Sequence, residues 1–139
     1  MKTGYDIFTK DEKIVSYIDF VDTILDKLGF RKNMKGTRLL REFTIYIYLK
    51  NSLEIDIKEE IYCFINEREI NIKYYNFYKI LENSIRYADS TKIQNNFYAV
   101  FHTEYDYYYL SVKSMVIFIV NTLERNRFWN AIRLTRVHF

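Results

Sequence analysis

Proline is absent from this chain of 139 residues, and glycine occurs only three times. A loop-rich β-sandwich needs many turn-forming residues, so that architecture is excluded on composition. The glycines, at positions 4, 29 and 36, are too scattered to build a glycine-rich phosphate loop. One cysteine, Cys63, rules out an internal disulfide and a cysteine-rich zinc site. Its place in an amphipathic segment predicts a buried structural thiol rather than a nucleophile, in a reducing, cytoplasmic setting. His102 and His138 lie far apart, with no H-E-x-x-H, C-x-x-C or acidic cluster to complete a metal site. The expectation is therefore no metal, no cofactor, no small-molecule substrate and no enzymatic activity. No apolar core of a signal peptide follows Met1-Lys2-Thr3-Gly4-Tyr5-Asp6. The longest apolar run, Met115 to Val120, is too short to span a bilayer, so no membrane partner is expected.

What is present is apolar and aromatic. Hydrophobic residues make up 49% of the chain, enough for a real core and against wholesale disorder. The length suits one domain over 1–139. Part of the aromatic excess reflects what AT-rich codons supply. A net charge of +3 and a pI near 8.8 form a mild basic balance, which permits a nucleic-acid partner without demanding one.

Apolar spacing and capping signals predict an all-α fold, a compact five- to six-helix domain. Thr9 with Glu12 opens a helix carrying Ile14, Ile18, Val21, Leu25 and Leu28, and Gly29 stops it. A nearly all-apolar helix runs from Thr37 to about Lys50 and should be central. Asp56 with Glu59 opens a short helix, followed by a turn or frayed end at 66–69 and a longer helix over roughly Lys73–Ala88. Ser90 or Thr91 caps a short helix over Lys92–Val100. An irregular or extended stretch, His102 to Leu110, leads to a long helix capped by Ser111, which the basic extension 125–139 continues.

Short helix, turn, longer helix is a helix-turn-helix arrangement, here Asp56–Asn66 and Lys73–Ala88. On a helical wheel Phe77, Leu81, Ser84 and Ala88 share one face, flanked by Tyr74, Ile80 and Ile85; that face is core. The opposite face collects Tyr75, Asn76, Lys79, Glu82, Asn83 and Arg86, with Lys73 at the helix start. These side chains can donate to phosphates and base edges. An ordinary solvated helix face is the alternative, and Glu82 favours it because a carboxylate repels phosphate.

The run Leu28-Gly29-Phe30-Arg31-Lys32-Asn33-Met34-Lys35-Gly36, followed by Leu40-Arg41-Glu42, resembles the DNA-binding effector domain of the sporulation regulator Spo0A. The resemblance extends over about residues 14–124, through Phe118-Ile119-Val120-Asn121-Thr122-Leu123. It implies a six-helix domain whose fourth helix enters the major groove of double-stranded DNA. The family's basic reading positions fall on Asn76, Lys79 and Glu82, of which only Lys79 stays basic. In the family a phosphorylated receiver precedes this domain; here Met1 lies shortly before the first helix, so control by an attached receiver is not expected. The Lys35-Gly36 pair matches the family, and a lysine with a free amide at a helix start suits a phosphate; a plain turn is the other reading.

The leading expectation is a sequence-preferring DNA-binding protein, in transcription or as an accessory factor of a DNA complex on a mobile element. The alternative is a protein-interaction module that keeps the fold, has lost DNA contacts and modulates a partner regulator. Tyr105, Tyr107, Tyr108 and Tyr109 are expected to pack the last helix onto the core or to form a partner surface, with stacking on unpaired bases a third use. The greasy run Met115 to Val120 exceeds one helix stripe, which points to a homodimer contact. Arg125, Arg127, Arg133 and Arg136 either reach the DNA backbone or form a solvated end.

Overall fold

The computed structural model describes the backbone over residues 10–51 and 54–137, with side chains over 14–51 and 54–127. Among these residues the chain is all-helical, with six α-helices and no strand. They are α1 (Lys10–Lys27), α2 (Lys35–Lys50), α3 (Ile57–Glu67), α4 (Tyr74–Arg86), α5 (Ser90–Phe101) and α6 (Val112–Val137). No helix among the described residues is long and apolar enough to cross a membrane. Thr9 and His138 lie outside the described residues, as do the side chains of Arg133 and Arg136.

The helix ends follow local chemistry. After α1, Gly29 turns left-handed at φ 82, and the amides of Gly29 and Phe30 donate to the carbonyls of Asp26 and Leu25 at 3.0 and 2.9 Å. α2 starts at Lys35, two residues before Thr37, because Met34 serves as its cap with no side-chain hydrogen bond. The Asp56 carboxylate accepts from the Glu59 amide at 3.2 Å and opens α3. α5 is capped not by Ser90 or Thr91 but by Asp89, whose carboxylate accepts from the Thr91 and Lys92 amides at 3.0 and 3.1 Å. An ionised acceptor at that position outcompetes the hydroxyls one and two residues on. Between α5 and α6 the stretch is irregular as expected, apart from a short 3-10 turn at Tyr107–Tyr109. Ser111 Oγ accepts from the Ser114 amide at 3.1 Å and opens α6, which continues through the basic extension to Val137.

Two aromatic clusters hold these helices together. Phe43 of α2, Phe64 of α3 and Phe77 of α4 are fully buried, with ring centroids 5.6 to 6.1 Å apart. Phe97 and Phe101 of α5 meet Phe118 of α6 at 5.3 and 5.1 Å. Edge-to-face and offset-stacked rings at these spacings add roughly 0.5–1.5 kcal/mol per pair beyond their buried area. Met115, Val116 and Ile119 are fully buried in the same core, so most of the Met115 to Val120 run is used within the chain. Cys63 is free and half-buried rather than buried, because it stands at the edge of the inward stripe formed by Ile61, Phe64 and Ile65.

Candidate nucleic-acid interface

α4 is the site's platform, and its amphipathic pattern dictates how it sits. Phe77, Leu81, Ser84 and Ile85 are buried and Tyr74 and Ile80 are half-buried at the flanks, while Ala88, expected on the same face, lies half-buried just past the end of the helix at Arg86. Ser84 avoids an unpaired buried hydroxyl by donating back to the Leu81 carbonyl at 2.6 Å. α4 packs chiefly on α2, and Gly36 is the point of closest approach. A Cβ at position 36 would lie 2.5 Å from the Ile80 carbonyl oxygen and 2.9 Å from Ser84 Cβ. The glycine of the Lys35-Gly36 pair is therefore required by helix packing. That packing sets the first turn of α2, with exposed Lys35, beside the middle of α4.

The outward face of α4 carries the expected residues. Tyr75, Asn76 and Arg86 are exposed, whereas Lys79, Glu82 and Asn83 are half-exposed. Lys73 is exposed at the N-cap. Asn76 and Lys73 border a shallow open groove with Asn71, Ile72 and Ile80. Down the helix the charged groups touch in sequence. Lys79 Nζ lies 5.8 Å from the Tyr75 ring centre and donates to Glu82 Oε1 at 3.1 Å. Arg86 approaches the same oxygen at 3.7 Å. Glu82 is thus held between two cations, which offsets its repulsion of a phosphate but also restrains both cations. Exposed ion pairs of this kind contribute about 0–1 kcal/mol, so a phosphate can compete for either one.

α3 and α4 are joined by residues 68–73, a longer connection than the roughly three- to four-residue turn of the common helix-turn-helix. Glu69 adopts φ 53, and the Ile70 amide donates to the Ile65 carbonyl at 3.0 Å to close the end of α3. Across this connection the rings of Tyr62 and Tyr74 stack at 5.1 Å and those of Tyr74 and Tyr78 at 6.1 Å. Lys58 Nζ lies 5.8 Å from the Tyr74 ring centre. This ladder, with Lys58 and exposed Tyr62, escaped sequence reading, although Lys58/Tyr62 and Tyr74/Tyr78 both show the four-residue spacing that places side chains together. Burial, with Tyr78 beside it, pushes the Tyr74 hydroxyl up from 10.0, so it stays a neutral donor at physiological pH.

The residues that carry the family resemblance are scaffold around α4. Leu28 and Phe30 are buried, and Arg31 Nε donates to the Tyr87 carbonyl at 3.0 Å, capping the end of α4. The Asp89 amide donates to the Gly29 carbonyl at 2.9 Å. Leu40 is fully buried, and Arg41 donates to both oxygens of Asp22 at 3.1 Å. Arg125 is turned inward, donating to the Val100 carbonyl and Thr122 Oγ1 at 3.3 Å, while Arg127 stays largely exposed. Among the described residues no group of His, Cys, Asp and Glu side chains could hold a metal ion. Comparison with family models, with characterised proteins and with solved structures returned no match to this chain, so the likeness to the sporulation effector domain rests on the anchors quoted for it.

Proposed function

We propose that this chain is a non-catalytic, sequence-preferring double-stranded DNA-binding protein related to the Spo0A effector domain. It acts as a cytoplasmic transcriptional regulator or as an accessory factor of a DNA complex. In this reading α3 and α4 serve as the helix-turn-helix and α4 enters the major groove. Asn76, Lys79 and Glu82 address base edges, Lys35, Lys73 and Arg86 hold phosphates, and Tyr75 and Asn83 flank them. The observation that carries the reading is the outward row on α4, where Lys79 and Arg86 hold the Glu82 carboxylate between them, with Lys73 exposed at the start of the same helix and Lys35 exposed in the first turn of α2. A homodimer on paired half-sites belongs to the same proposal.

The second reading, an interaction module that no longer contacts DNA, draws on the Glu82 clamp and on the mild net charge of +3. Salt dependence separates the two. Each phosphate contact adds roughly 0.9 to the slope of log affinity against log salt. Duplex affinity measured by fluorescence anisotropy should fall steeply with salt. Lys35→Ala should lower the slope by about one unit and weaken all sequences alike. An affinity that is flat in salt would hand the lead to the interaction module.

A further inference from the structure

The turn between α5 and α6 presents two tyrosines that the fold does not use. Tyr105 and Tyr109 anchor it on either side, their rings 5.6 and 6.0 Å from Phe97. Between them Asp106 accepts from the Tyr108 amide at 2.9 Å, and the Leu110 amide donates to the Tyr107 carbonyl at 3.0 Å. The backbone is therefore fixed, yet Tyr107 is 73% and Tyr108 84% exposed, and the two rings meet edge-on at 6.2 Å. Holding large aromatic surface rigidly in water opposes folding, and such preorganised aromatic pairs are what interface hot spots need. Glu104 and Asp106, both exposed beside them, repel a nucleic-acid backbone and suit a cationic partner. Arginine fits best, because its guanidinium can stack on tyrosine while bonding a carboxylate.

The chain's own sequence holds such a segment. Residues 125–139 include Arg127, Arg133 and Arg136, contain no Asp or Glu, and interleave the arginines with Trp129, Ile132 and Leu134. Within one molecule the two cannot meet. α6 begins directly after the turn and runs as one helix to Val137. At about 1.5 Å per residue, Arg133 lies roughly 30 Å from the start of α6.

We propose that the Tyr107–Tyr108 turn docks the arginine-bearing C-terminal segment of a second copy. Antiparallel α6 helices then bring each tail to the other copy's turn, so two-fold symmetry makes the contact twice. Tyr107 shares a cleft with Glu82 and Arg86 near the end of α4, so the docking surface adjoins the outward face of that helix, and its test does not depend on DNA.

Sedimentation equilibrium of the full chain should show a dimer. The double variants Glu104→Lys/Asp106→Lys and Arg133→Glu/Arg136→Glu should each raise its dissociation constant by more than about a hundredfold, because like charges then face each other at both contacts. Tyr107→Ala/Tyr108→Ala should weaken it by roughly tenfold or more. Mixing the two charge-reversed variants should restore the dimer: one contact then pairs lysine turn with glutamate tail, and the other is wild type on both sides. That rescue also demonstrates that both variants are folded, and circular dichroism checks the tyrosine variant. A wild-type chain that stays monomeric, a dimer indifferent to either reversal, or a mixture that fails to re-form would each overturn the proposal.

Discussion

Replacing Gly36 with alanine is expected to destabilise the domain by roughly 1–3 kcal/mol, and valine by more, read as a lowered midpoint of urea unfolding. Alanine ordinarily strengthens a helix by about 0.5–1 kcal/mol over glycine, so an exposed helical glycine would give the opposite sign. Here the new Cβ would stand 2.5 Å from the Ile80 carbonyl oxygen, an atom of the α4 backbone that no side-chain rotation can move. α4 as a whole must shift off α2. Because the same contact seats α4 on the first turn of α2, duplex affinity should fall along with stability. An unchanged or raised midpoint would mean that α2 and α4 do not approach as described.

The second large effect is expected on the outward face itself. Asn76→Ala and Lys79→Ala should each cost roughly 1–3 kcal/mol on the preferred duplex and relax specificity at the base each addresses. Neither side chain is part of the core, so thermal unfolding should be nearly unchanged, which separates lost contact from lost fold. Glu82 Oε1 is engaged by Lys79 and Arg86, while its other oxygen can accept from a cytosine amino group. Glu82→Gln should therefore lose affinity on the preferred site and little on scrambled duplex. Equal tightening on both would reduce Glu82 to a clamp on its two cations.

Much of the helical fold was legible in the sequence because apolar spacing and caps act locally. Gly29 after Leu28 and Asp56 before Glu59 each have one cheap conformation, and the structure adopts both. The cap of α5 escaped because Asp89, Ser90 and Thr91 are all competent caps, and only the reach of the Asp89 carboxylate to two amides decides among them. The outward row on α4 was legible from the wheel, since a strongly amphipathic helix has one inward solution. Tertiary contacts were not. Nothing local says that Gly36 lies under Ile80, that Arg31 caps α4, or that Tyr62 stacks on Tyr74 across a connection. The apolar run Met115 to Val120 suggested an interface because a single helix stripe cannot hold it. In the structure, neighbours on several sides of α6 absorb most of it, with Phe118 alone touching Phe97, Phe101 and Tyr109.

The central claim, that α4 reads duplex sequence, is tested most directly by selecting bound duplexes from a random pool at physiological salt. The account predicts one enriched motif, bound about a thousandfold or more tighter than scrambled duplex, with that preference reduced by Asn76→Ala and by Lys79→Ala. A pool that stays random through successive rounds, or a motif whose affinity neither substitution changes, would contradict it.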